Sequence, residues 1–150
     1  MRHLAGVLSF TLFIGITGFA HAAGSDSFTL DVSAEVASTC KITTSGPYTL
    51  HFSLDPSSQQ DATATTSTVG FWCTEGVVFS ITDDGSGSHA LAGPDANPIP
   101  YSLAYTPSLT AGAGPVQPIL LTIDGTVAYS AFANKKAGTY TDTVIVTISP

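Results

Sequence analysis

Phe28-Thr29-Leu30-Asp31-Val32-Ser33-Ala34-Glu35-Val36 decides the reading of this chain. Five apolar residues alternate with four polar ones, without a break in register. A period of two is the signature of an extended strand with one face buried and one face wet. The other end of the sequence repeats the pattern. Tyr140, Val144, Val146 and Ile148 fall on one face, and Thr141, Thr143, Thr147 and Ser149 on the other; Asp142 and Ile145 break the alternation.

Working inward from these ends, shorter strands are predicted over Lys41–Thr44, Tyr48–Leu54, Ser67–Cys73, Val77–Thr82, Tyr101–Tyr105, Ile119–Ile123 and Thr126–Phe132. Turn residues separate them: Ser45-Gly46-Pro47, Thr74-Glu75-Gly76, Asp83-Asp84-Gly85, Asp124-Gly125 and Ala137-Gly138. Asp124-Gly125, between two apolar runs, is the sharpest hairpin signal. Three stretches read as loops: the Ser/Thr/Gln-rich Asp55–Thr66, the Gly- and Pro-rich Gly85–Pro100, and Thr106–Pro118. No window past the first two dozen residues reads as a helix. Of 150 residues, 38 are Ser or Thr and only 10% are charged, which argues against a helical bundle or coiled coil. The 43% hydrophobic content argues against disorder. These features predict one domain, an all-β antiparallel sandwich of immunoglobulin type.

The first segment reads as an address rather than as fold. Arg2 gives a positive start, Val7 to Ala20 is mostly apolar, and Ala20-His21-Ala22 supplies a small-x-small cleavage site. The expected cut is after Ala22 or Ala23, making residues 1–22 a signal peptide. The uncharged span from Leu4 to Ser25 is long enough for a membrane anchor, but Gly and Thr interrupt it and Asp26, not a basic residue, follows. Cleavage leaves a chain with no membrane span, three basic and 11 acidic residues, and a net charge of −8. That balance argues against nucleic acid and against an anionic membrane surface as partner, since phosphate binding needs clustered cations. Export also bears on Cys40 and Cys73, 33 positions apart: in an oxidising compartment a lone even pair is expected to form a disulfide, with two free buried thiols as the alternative.

Catalytic chemistry is sparse. No Gly-x-Ser-x-Gly elbow is present, and Ser86 and Ser88 sit in a Gly-Ser-Gly-Ser-His run that reads as a loop. His51, between Leu50 and Phe52, reads as an outward strand residue or a satisfied core group rather than a base. Asp83 and Asp84 lack calcium-loop spacing and read as turn residues. Two cysteines with His51 and His89 do not make a zinc spacing. Trp72 beside Cys73 reads as a core aromatic packed near the disulfide rather than as a sugar platform. The expectation is a protein that binds or builds, with no enzyme activity, no metal and no cofactor.

The order of features then carries a resemblance. The alternating 28–36 segment precedes Cys40. Val69-Gly70-x-x-Cys73-x-x-Gly76 and Tyr101-x-Leu103-x-Tyr105 follow, and the chain closes with Gly138-x-Tyr140-x-Asp142-x-Val144-x-Val146-x-Ile148. Over essentially the whole exported part, this resembles the spore coat protein U domain family, which includes pilin subunits of archaic chaperone–usher pili. The resemblance implies a sandwich over residues 38–150 that lacks its last strand and is completed by donor-strand exchange. It implies a donor segment over 23–37, with Phe28, Leu30, Val32, Ala34 and Val36 facing a neighbour's groove. It implies a groove wall built on Tyr140, Val144, Val146 and Ile148, with the closing strand at the heart of the sheet. The implied partners are a periplasmic chaperone, an outer-membrane usher and neighbouring pilin subunits, alike or different; the implied role is a surface pilus supporting adhesion or biofilm formation. On the residues alone, 28–36 equally fits the first strand of a closed sandwich, and a self-contained secreted binding or coat protein is the alternative function.

Overall fold

The computed structural model describes residues 24–66 and 68–150; the expected signal peptide lies outside them. The chain divides after Ala34. In the N-terminal part, residues 24–34 form no strand or helix. The period-two segment is therefore not the half-buried strand its pattern predicts: Phe28 is 88% exposed, Leu30 71% and Val32 83%.

Residues 35–150 form an all-β, sandwich-like unit. Its strands are β1 (Cys40–Ile42), β2 (Ala62–Thr65), β3 (Val69–Cys73), β4 (Ser80–Asp83), β5 (His89–Leu91), β6 (Ile99–Pro107), β7 (Ile119–Val127) and β8 (Val146–Ser149), with one short helix, α1 (Tyr129–Phe132), before β8. All pairings are antiparallel. One sheet runs β1-β3-β7-β6-β5, and β2 lies in tandem with β3 along the same edge of β7. The other sheet is β4-β8.

The inward faces meet where the alternation puts large apolar side chains. Val69, Phe71 and Cys73 of β3 and Ile119, Leu121 and Ile123 of β7 form the main core, covered by Phe79, Ile81, Val146 and Ile148 from the β4–β8 side. A second cluster gathers Ile99, Val127 and Phe132.

Several expectations are corrected. Asp124-Gly125 is not a hairpin turn: β7 runs straight through it, paired with β6 on one side and β2 on the other. Such a turn needs positive φ at its central residues, and neither Asp124 nor Gly125 has it. The glycine is there for space instead. A Cβ on Gly125 would stand 2.5 Å from Leu50 Cδ2 and 2.5 Å from Phe52 Cζ, so residues 48–54 close directly over the β7 backbone.

The strand expected over Thr126–Phe132 ends at Val127. Asp61 Oδ1 accepts the Tyr129 N–H at 2.7 Å, and the single turn of α1 stacks Tyr129 edge-on to Phe132 while burying Phe132. Two of the expected loops contain strands, β2 within Asp55–Thr66 and β5 within Gly85–Pro100. Their short sequences carry few large apolar residues and little β signal; the partners β7 and β6 impose the extended form. Trp72 is not the core aromatic. Alternation along β3 sends it to the face opposite Phe71 and Cys73, and Phe71 takes the core position, edge-on to Phe79.

Candidate functional site

Residues 48–54 and 138–148 bound an open cleft of about 810 Å³. Its floor is the inward face of the larger sheet, with Val69, Leu121, Ile123, Leu103 and Tyr101. Leu50, Phe52 and Leu54 turn toward it from one wall, half-buried, while Thr49, His51 and Ser53 are exposed. The expected Tyr48–Leu54 strand thus keeps its alternation but lacks a ladder: no backbone–backbone hydrogen bond involves residues 48–54 among the described residues.

The opposite wall carries Tyr140, Val144, Val146 and Ile148, all half-buried and all lining the cleft. Its last part, β8, is paired on one side only, with β4. The closing strand is therefore an edge and not the heart of a sheet. It is also shorter than its pattern, because Asp142 and Ile145 interrupt the ladder: the Ile145 N–H donates to Asp84 Oδ1 at 3.0 Å instead of to a strand backbone. Among the described residues, 48–54 thus have no backbone partner and β8 is paired along one edge only, which leaves hydrogen-bonding groups open on both walls.

Each wall is anchored where it begins. The Tyr48 hydroxyl donates to the Thr44 carbonyl, and the Tyr140 hydroxyl to the Lys136 carbonyl at 3.0 Å. Tyr140 also packs against Gly93, where a Cβ would come within 2.3 Å of its ring.

A polar cluster adjoins the C-terminal wall. The Tyr101 hydroxyl donates to Asp142 Oδ2 at 2.9 Å, and the Tyr105 hydroxyl to Asp83 Oδ2 at 2.7 Å. Buried His89 places Nε2 3.2 Å from the same Asp83 oxygen and stacks at 5.1 Å on Tyr101. The Tyr105 hydrogen bond holds the Asp83 carboxyl below the usual carboxylate range. Burial, then the adjoining carboxylates, push both phenols above their ordinary value. Asp84 accepts Ile145 N–H and donates its own N–H to the Ile145 carbonyl at 3.2 Å. These groups tie the wall to β4 and β6. Asp83 and Asp84 are structural fasteners, and no group of three or more His, Cys, Asp or Glu able to hold a metal is present among the described residues.

Cys40 and Cys73 are joined in a disulfide between β1 and β3, directly opposite in the ladder. His51 stands at the cleft rim, outward as its strand position implies. Ser86 and Ser88 flank the positive-φ Gly87 in the turn between β4 and β5. The sequence reading missed Leu50, Phe52 and Leu54 as a groove wall and the Tyr101–Asp142 and Tyr105–Asp83 pairs. The first had a signal, the alternation Tyr48-x-Leu50-x-Phe52-x-Leu54. The second had none, because the partners are 41 and 22 positions apart.

The fold is thus an all-β, sandwich-like unit with an open cleft along its larger sheet. The chain belongs to the Spore Coat Protein U domain family, whose model matches residues 26–147. That family comprises exported surface and coat proteins, pilus subunits among them, and gives this chain a structural role at the cell surface. No curated protein and no solved structure matches the chain. Among the described residues, no helix is long and apolar enough to cross a membrane.

Proposed function

We propose that this chain is a subunit of a surface pilus, assembled through chaperone–usher donor-strand complementation, and that it supports adhesion or biofilm formation. After removal of residues 1–22 it passes through the periplasm, where a chaperone strand occupies the groove. At the outer-membrane usher, residues 28–36 of a second copy or of a related subunit replace it.

One observation carries the reading: a cleft flanked by two strand-like walls without a ladder between them, in a chain whose 28–36 segment is unpaired and exposes its large apolar residues. An extended segment with apolar side chains every second residue satisfies both needs at once, giving backbone partners to the walls and hydrocarbon to the floor.

Val32→Arg tests it. The change places a charge in an apolar subsite, at a cost of several kcal/mol where the side chain cannot reach water. The chaperone-bound subunit should accumulate normally while the heat-resistant ladder of subunits on a gel disappears. Unchanged ladders would refute the donor assignment. Loss of the subunit itself would place 28–36 inside its own sandwich.

A further inference from the structure

Five alternate positions of the C-terminal wall, 140, 142, 144, 146 and 148, line the cleft, as do Thr139, Thr141 and Thr143 between them. Four carry large apolar side chains; the fifth is Asp142. Its carboxylate is fixed, with Oδ2 accepting the Tyr101 hydroxyl at 2.9 Å and Oδ1 the Thr143 N–H at 2.8 Å, and both Asp142 and Tyr101 line the cleft. Among these alternate positions Asp142 is therefore the one carboxylate in a row of large apolar side chains.

The 28–36 segment also offers five inward positions, four large and one small, Ala34. Neighbouring strands match inward residues at steps of two, so the two sets can align over their full length in only two directions. Antiparallel alignment sets Ala34 beside Asp142 and Phe28 beside Ile148. Parallel alignment sets Leu30 against the carboxylate and leaves Ala34 facing Val146. A slip of two residues in the antiparallel direction puts Val32 or Val36 beside Asp142. A large apolar side chain on Asp142 strips water from a carboxylate and supplies no hydrogen bond in return, whereas a methyl group leaves the Tyr101 pair undisturbed.

The geometry points to Asp142, positioned by Tyr101, as the residue that sets the direction and register of the incoming strand, with Ala34 of a second copy seated at it. This rests on the donor-strand reading of the groove.

The test moves a cation along the segment of the full-length chain. Ala34→Lys and Leu30→Lys are compared by the heat-resistant subunit ladder, with monomer yield as the control. Ala34→Lys brings an ammonium to Asp142 and should keep the ladder within about threefold of the unaltered chain. Leu30→Lys puts the same cation in an apolar subsite and should lower it by about tenfold or more. With Asp142→Asn, the tolerance of Ala34→Lys should vanish. Both lysine variants leave residues 35–150 unaltered, so their comparison stands even if Asp142→Asn fails to fold. Equal losses from the two, or survival of Leu30→Lys alone, would overturn the assignment while leaving the donor-strand reading intact. Absence of any ladder from the unaltered chain would overturn that reading and this one with it.

Discussion

Gly125→Ala measures how closely residues 48–54 press on β7. Gly125 sits in mid-strand, opposite Ala64 of β2 and Leu103 of β6, and its φ is not positive, so alanine brings no backbone strain. The added methyl would stand 2.5 Å from both Leu50 Cδ2 and Phe52 Cζ. Ordinary carbon contacts lie at about 3.5–4.0 Å, so both side chains must retreat by roughly 1 Å. Two terms compete. Stiffening the unfolded chain favours alanine by about 0.4–1 kcal/mol. Overpacking costs about 1–3 kcal/mol. The balance is a destabilisation of about 1 kcal/mol, read as a lower urea midpoint of the purified, oxidised chain at unchanged slope. Leu50→Ala removes one of the two obstacles. In the double variant the loss should therefore fall short of the sum of the single losses by about 0.5 kcal/mol or more. A raised midpoint for Gly125→Ala, or strict additivity with Leu50→Ala, would refute the close approach and with it the placement of this groove wall.

Three further outcomes follow from the same structure. Replacing both Cys40 and Cys73 by serine should cost about 3–4 kcal/mol, the chain-entropy value for closing a loop of 33 residues; urea midpoints that match with and without reductant would contradict it, as would alkylation of both thiols in the exported protein. Val146→Asp puts a carboxylate on the wall face of β8, between Val144 and Ile148. Soluble exported protein should disappear, and normal yields would show that this face is wet. The third outcome is acid sensitivity. Asp83 has a folded pKa below its unfolded one, so its contribution is fully present above the ordinary carboxylate value of about 4 and is lost as pH falls through the folded value. The urea midpoint should drop as the pH is lowered below the ordinary carboxylate value, and Tyr105→Phe, which removes the main cause of the shift, should flatten that drop. Equal slopes for the two proteins would argue against the Tyr105–Asp83 hydrogen bond.

Much of the sandwich was legible because its core strands carry their own pattern. Val69-x-Phe71-x-Cys73 and Ile119-x-Leu121-x-Ile123 alternate, and the structure buries every one of those six side chains. The same alternation sets Tyr140, Val144, Val146 and Ile148 on one face, and all four line the cleft. It failed where local chemistry and tertiary context disagree. Asp124-Gly125 has ideal turn composition, yet its glycine answers to side chains more than 70 positions away in sequence. Ala62–Thr65 and His89–Leu91 are too short and carry too few large apolar residues to announce strands, and they are extended because a neighbouring backbone is free to pair. The polar fasteners were invisible for a different reason. A tyrosine and an aspartate 41 positions apart share no spacing rule, and only the folded sheet brings Tyr101 to Asp142.

The position of the disulfide has a mechanical consequence. A tension applied through residues 24–36 meets the hydrogen bonds of Ala37 and Thr39 to Thr74 and then Cys40, the first residue of a three-residue edge strand. Left to hydrogen bonds, that strand would peel first, one rung at a time. The covalent link at this very residue carries the load across to Cys73, at the end of β3, whose other edge is bonded to β7 inside the main core. The pull therefore bypasses β1 and is delivered to the most deeply buried strand pair in the unit. Cutting the link would move the point of rupture outward to the hydrogen bonds at the rim. Under sustained force the lifetime of the attachment is then set by how fast β3 leaves β7 when the link is intact, and by how fast β1 leaves β3 when it is cut.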